Sequence, residues 1–141
     1  MGTVRTDPTP EYPINCTGDV VRGDRIRWIE AMWPAYKPRH RSKPHPLGYR
    51  TITGEVVADS YGADKQQHTF TILVTSCEGY GSLKVGDRIT RKGRNIYRND
   101  CYRWAWADES TRQAVAEEKH QRGDRARQAR DARRTASGGL L

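Results

Sequence analysis

Apolar and polar residues alternate most regularly between Tyr49 and Cys77. Tyr49-Arg50-Thr51-Ile52-Thr53-Gly54-Glu55-Val56-Val57-Ala58-Asp59 leads into a polar turn, and His68-Thr69-Phe70-Thr71-Ile72-Leu73-Val74-Thr75 leads out of it. A period of two, in runs rich in Thr, Val and Ile, predicts two half-buried strands joined as a hairpin. The alternation places Ile52, Val56 and Ala58 on one face, and Phe70, Ile72 and Val74 on one face of the partner strand. These residues are the expected core. The connection over 61–67 is too long for a two-residue hairpin turn.

Strands are predicted on either side of the hairpin. Val21-Arg22-Gly23-Asp24-Arg25-Ile26 and Lys84-Val85-Gly86-Asp87-Arg88-Ile89 share the order Gly-Asp-Arg-Ile. The glycine can take positive φ, and the aspartate can close the turn on backbone N–H groups. So short a match indicates one turn used twice rather than a duplicated unit. After the first turn, Ile26 and Trp28 share one face and Arg25 and Arg27 the other; the alternation slips at Ile29, which predicts a bulge or a strand end. Tyr102, Trp104 and Trp106 stand at alternate positions, as on one face of a last strand.

The pattern changes at Ala107. Asp108 suits an N-cap and Glu109 the first turn of a helix. Lys119 to Arg134 holds seven Lys or Arg and two Asp, a balance of +5, with no apolar stripe. A helix that is polar all round is either solvated or folds against a partner. The expected fold is therefore mainly β: a small antiparallel β-barrel or sandwich over 19–107, with a basic loop at 34–48, a charged C-terminal α-helix over 108–134, and disordered termini. Residues 1–18, with Pro8, Pro10 and Pro13, form a flexible arm in this reading, and 135–141 a disordered tail.

Composition supports one small domain with tails, since the chain of 141 residues is 35% hydrophobic and 30% charged. The net charge of +8 adds a direction: such a field favours nucleic acid or an acidic surface. The cations are clustered. The 34–48 loop, barred by Pro34, Pro38, Pro44 and Pro46 from helix or central strand, carries Lys37, Arg39, Arg41 and Lys43. Arg91, Lys92, Arg94 and Arg98 surround Gly93, with Tyr97 among them. Arg125, Arg127 and Arg130 lie in the C-terminal segment. Cations hold phosphates and aromatic faces stack bases, which makes Tyr97 and Trp33 stacking candidates. The expected function is nucleic-acid binding, to DNA or RNA. The alternative is a protein-interaction module that docks on an acidic protein surface, such as an inhibitor of a host defence complex or an assembly factor.

Other chemistries find less footing. Cys16, Cys77 and Cys101 are odd in number and lack C-x-x-C spacing, so neither a disulfide framework nor a zinc ribbon is expected, and a reducing cytoplasm is the simplest location. No metal or cofactor is expected. No apolar run approaches the roughly 20 residues needed to span a bilayer, so no membrane partner is expected either. Strings such as G-x-S-x-G, H-E-x-x-H or a P-loop are missing, which points away from an enzyme. Glu55 and Asp59, on one strand face with His68 across the hairpin, are the one candidate acid–base or metal cluster.

The two Gly-Asp-Arg-Ile runs, at 23–26 and 86–89, resemble those of SH3-like and other small β-barrels in outline. Gly48-Tyr49-Arg50-Thr51-Ile52 and Val85-Gly86-Asp87-Arg88-Ile89 resemble pieces of PUA-like (ASCH-type) barrels, a family linked to RNA. The resemblance covers about a third of the chain and implies a closed barrel and an RNA partner. The whole chain resembles small uncharacterised proteins carried by bacterial plasmids and prophages, which implies no activity.

Overall fold

A computed structural model describes residues 4–35, 45–62 and 67–138. In chain order the elements are β1 (Ile14–Asn15), β2 (Arg25–Met32), β3 (Gly48–Gly62), β4 (Gln67–Gly79), β5 (Arg88–Lys92), α1 (Gly93–Tyr97), β6 (Cys101–Arg103) and α2 (Glu109–Gly138). The strands form one sheet in the order β1-β6-β2-β3-β4-β5, with every pair antiparallel. The expected antiparallel β fold with a C-terminal helix is what forms. The sheet is open rather than closed into a barrel: the two-residue β1 and the five-residue β5 stand at opposite edges.

The 49–77 hairpin is the centre of the sheet, and its inner face carries the core. Ile26, Trp28, Ile52, Val56, Phe70, Ile72 and Val74 are buried together with Ile96, Cys16 and Cys101. Ala58 is exposed, contrary to the expected core. The cause is a bulge: Val56 pairs with Ile72 but Ala58 with Thr71, leaving Val57 extra. One extra residue in a strand of period two reverses the facing of everything after it. Ala58 turns out, and Asp59, paired with Phe70, turns onto the core face. Glu55 and Asp59 therefore lie on opposite faces, and the candidate cluster of Glu55, Asp59 and His68 does not form.

Three other expectations are corrected. No bulge interrupts β2, which pairs with β3 without a shift from Arg25 to Met32. Past Cys101 the β6 ladder ends, and Thr6 and Asn99 replace it: Ile29 N–H donates to Thr6 Oγ1 (2.9 Å), and Asn99 Nδ2 donates to the Ile29 carbonyl (3.1 Å). Residues 4–18, expected as a flexible arm, thus lie along the sheet, with Thr6, Tyr12 and Cys16 buried. Finally, β6 stops at Arg103, so Trp104 and Trp106 do not continue a strand face. Trp104 packs against Tyr12 with the Arg25 guanidinium 4.7 Å from its ring, and Trp106 turns its indole N–H to Asp24 (2.7 Å).

The two Gly-Asp turns are the same device. Gly23 and Gly86 have φ of 98° and 94°. Val21 N–H donates to Asp24 Oδ2 at 2.9 Å, and Lys84 N–H to Asp87 Oδ2 at 3.2 Å. Their surroundings differ: Asp24 is 0% exposed beneath α2, whereas Asp87 is on the surface.

Candidate nucleic-acid interface

Helix α2 begins as its sequence predicts. Asp108 Oδ1 accepts from the Ser110 N–H (2.9 Å), and hydrogen bonds from the Ser110 hydroxyl and N–H, then from Thr111, hold its carboxyl below the usual carboxylate range. Glu109 reaches back to Arg103 (2.6 Å) and to Trp106 N–H (2.8 Å). The rest of the helix departs from a solvated rod. Arg112, Ala116, Lys119 and Gly123 are buried at helical spacing, so this helix has a stripe, written in cations and small residues.

Acids on the inner side of the sheet receive that stripe. Asp24 accepts from Arg112 Nε and Nη2 (both 2.9 Å) as well as from Trp106 and Val21. Lys119 Nζ donates to the Val20 carbonyl (2.6 Å) and stands 5.2 Å from the centre of the Phe70 ring. Its pKa is lowered because burial, the largest cause, outweighs the nearby Asp59, Asp19 and Asp24. Arg122 pairs with Asp59 (3.1 Å), whose side chain is 4% exposed. Arg127 donates to the Tyr61 hydroxyl (3.2 Å) and pairs with Asp124. The Val57 bulge is what presents Asp59 and Tyr61 to the helix.

The turn after β5 is built differently. Lys92, Arg94 and Arg98 are exposed, and none has a hydrogen-bond or ion-pair partner among the described residues. Lys92 precedes the single turn of α1 and makes no side-chain cap. Tyr97 faces inward: its hydroxyl accepts from Val20 N–H (3.1 Å), its ring meets Phe70 edge-on at 6.4 Å, and burial pushes its phenol pKa up. These contacts make it a partly buried packing residue.

Beside this turn lies a cleft of about 280 Å³ between the end of β2 and α1, lined by Met32, Trp33, Arg91, Asn95, Arg98 and Asn99 with Glu30 and Arg50 at its floor. Trp33 is 48% exposed. Glu30 accepts from Arg50 Nη2 (2.6 Å) and from Arg91 Nε (2.8 Å) and Nη2 (3.0 Å). Burial raises the Glu30 pKa, but hydrogen bonds from Arg91 and Arg50 and their charges outweigh it, so the carboxyl lies below its ordinary range. The trio carries one net positive charge. A second groove, of about 360 Å³, has Thr9, Tyr12, Thr51 and Ser76 on its walls, but Glu11 and Glu78 offset its one cation, Arg27. The cleft at Trp33 combines an exposed cation, Arg98, and the partly covered Arg91 with an exposed aromatic residue.

Of the residues singled out from sequence, Arg91, Arg98 and Trp33 meet in this cleft, and Lys92 and Arg94 flank it. Lys37, Arg39, Arg41 and Lys43 lie outside the described residues, in the segment that starts just after Trp33. Arg125 is exposed on α2; Arg130 is mostly covered, 3.5 Å from Asp131. Sequence reasoning missed Glu30, Arg50, Asn95 and Asn99 in the cleft, and Asp24 and Arg112 under the helix. Glu30 had a signal: it is an acid at an inward-leaning position in a strand otherwise flanked by arginines.

Fold and site together define a small open antiparallel sheet, braced on its core side by a cationic helix and bearing a basic cleft at one end. Residues 16–106 match the family described as a domain of unknown function, DUF7699, and the chain belongs to that family. It is also similar to the zinc finger CCCH domain-containing protein 62 of Oryza sativa subsp. japonica, 37% identical over 134 residues; the match covers 94% of this chain but 19% of that protein. That relative is a plant protein, whereas the resemblance read from sequence pointed to plasmids and prophages. No solved structure matches the chain.

The relative's name implies a metal, and the donors among the described residues do not fit one. Among the described residues no three His, Cys, Asp or Glu side chains come together as ligands. Cys16 and Cys101 face each other as free thiols, 3.5 Å apart, and burial, followed by the Cys16 contact, pushes the Cys101 pKa up. A zinc site needs three or four donors, at least one of them ionised if it is a thiol. Among the described residues no helix is long and apolar enough to cross a membrane.

Proposed function

We propose that this protein binds nucleic acid through the β5–α1 turn and the cleft beside it. The observation that carries the reading is the state of the cations. Those of α2 that face the sheet are taken up by Asp24, Asp19, Asp59 and a backbone carbonyl. Lys92, Arg94 and Arg98 form a group on one short turn, exposed and with no ion-pair partner among the described residues. Unpaired, solvent-facing Lys and Arg are suited to phosphate, because binding releases condensed counterions from the polyanion. In the sequence, Lys37, Arg39, Arg41 and Lys43 add to the net positive charge that favours a polyanion. Arg125, Arg133 and Arg134 are exposed on α2 and can add to it.

The rice relative supports the reading indirectly. It holds the matched region in one chain with a named zinc finger, and zinc-bearing modules recur in nucleic-acid recognition. The test is fluorescence anisotropy with labelled oligonucleotides across a salt series. Log affinity should fall linearly with log salt, and Arg94→Ala with Arg98→Ala should lower the slope by about 1 for each phosphate contact removed. Absence of binding at low salt would refute the proposal; retention of a partner protein after nuclease treatment would favour an acidic protein surface instead.

A further inference from the structure

The cleft has features that phosphate contact alone does not call for. Trp33 directly follows β2 and is half exposed, an unusual place for so large an apolar side chain. The floor is prepared for an anion: both Glu30 oxygens are engaged by Arg50 and Arg91, so no free carboxylate faces an incoming phosphate. Arg91 is held in place by Glu30 and by its own donation to the Thr90 carbonyl (3.0 Å). A guanidinium has five N–H donors; three are engaged by Glu30 and Thr90, which leaves two for a ligand. Asn95 lies exposed on α1 at the same wall, with an amide that can both donate and accept.

Size restricts what enters. At about 280 Å³ the cleft is at the small end of ligand sites and cannot admit a double helix. Bases in a duplex are already stacked on one another and present only backbone to a wall of this kind. An unpaired base can leave its strand, lay its face on an aromatic ring and expose its edge to a side-chain amide.

We propose that the Trp33–Arg98 cleft is a single-nucleotide pocket that takes one unstacked base of a single-stranded nucleic acid, with Trp33 as the stacking platform, Asn95 at the base edge, and Arg91 and Arg98 on the adjoining phosphate. The proposal deepens the nucleic-acid reading and rests on it. It makes the protein a reader of single strands, tolerant of base identity, because every base offers a π-face to Trp33 and one amide gives little discrimination.

The test uses the full chain and labelled oligonucleotides in three forms, each as RNA and as DNA: a single strand, the same sequence as a duplex, and a single strand with abasic residues at its centre. The abasic strand keeps the phosphates and removes the bases. The intact single strand should bind roughly 5- to 150-fold more tightly than the abasic one, the range of one stacked base. Trp33→Ala should reduce binding of the intact strand to the abasic level while leaving abasic binding unchanged, and Trp33→Phe should restore part of the difference. Equal binding of intact and abasic strands by the unaltered protein would overturn the pocket while leaving nucleic-acid binding in place. So would a Trp33→Ala protein that keeps the difference. Failure to bind any of the three forms at low salt would overturn both readings.

Discussion

Helix α2 and the β5–α1 turn are the two cation-rich segments among the described residues, and they use their charge in opposite ways. In α2, Arg112, Lys119 and Arg122 point at the sheet and are matched by Asp24, the Val20 carbonyl and Asp59. At the turn, Lys92, Arg94 and Arg98 point at solvent. A buried cation is costly to leave alone and so must be matched within the fold. An exposed one adds little to stability and keeps its charge for a partner. Net charge does not separate the two cases; the position of the acids does. Arg91 stands between them: it is anchored by Glu30 but opens on the cleft.

The contrast breaks most sharply at Asp24. Removing its carboxylate leaves the Trp106 indole N–H and the Val21 N–H without that acceptor, and leaves the buried Arg112 guanidinium with Asp19 alone. Asp24→Ala should cost about 3–5 kcal/mol, a large part of the stability of a domain this size, measured as a fall in the urea midpoint. A double-mutant cycle with Arg112→Met should show a coupling above about 0.5 kcal/mol. A loss no greater than that of the surface variant Asp87→Ala would show that the helix is not held this way.

The twin turns sharpen the point at a smaller scale. At Gly23 a Cβ would lie 2.7 Å from the Trp106 ring, on a backbone with φ of 98°. At Gly86, φ is 94° and nothing lies within 4 Å. Gly86→Ala should show the backbone strain alone, about 1–3 kcal/mol, and Gly23→Ala should exceed it because the ring that bonds Asp24 must move. Thermal unfolding of the two variants side by side measures the difference.

Next in size is a loss that depends on pH. His68 lies between Tyr61 and Phe70 where α2 crosses the hairpin. Its pKa falls from 6.5 to about 4, first through burial and then through the Lys119 charge, with Asp59 opposing and Arg122 and Arg127 adding. The folded protein therefore takes up this proton less readily than the unfolded chain. The stability involved is complete above pH 6.5 and is lost progressively as the pH falls from 6.5 towards 4. Stability against pH should fall in that window and should flatten in His68→Gln. No such step should accompany changes at the β5–α1 turn.

What the sequence revealed followed from local chemistry. Alternation identified the hairpin, the Gly-Asp pairs identified both turns, and Asp108 identified the helix start, because each is decided within a few residues. The bulge at Val57 was not legible: no glycine or proline marks it, and it matters only because it turns Asp59 towards a helix more than 60 residues away. The helix stripe was hidden for a related reason. Arg112, Lys119 and Arg122 count as polar in any periodicity, and only the acids across the interface make that face an inward one. In the cleft, the cations and Trp33 were visible one by one; that Trp33 and Arg98 share a wall depends on β2 and α1 meeting end to end.

The smallest effect on stability belongs to the residues with the largest role in the proposed function. Arg94→Ala and Arg98→Ala remove exposed side chains that have no partner among the described residues, and should change stability by no more than about 0.5 kcal/mol. The same substitutions should weaken binding to any single strand and reduce its salt dependence. Arg122→Ala should do the reverse, lowering the melting temperature through the loss of its Asp59 pair while leaving the salt slope in place. Arg125→Ala tests the boundary, since it belongs to α2 by sequence but faces solvent as the turn residues do. If its loss weakens binding at unchanged stability, the division runs between inward and outward cations rather than between helix and turn. If it changes neither, Arg125 makes no phosphate contact, and the same substitution at exposed Arg133 and Arg134 decides whether any outward cation of α2 does.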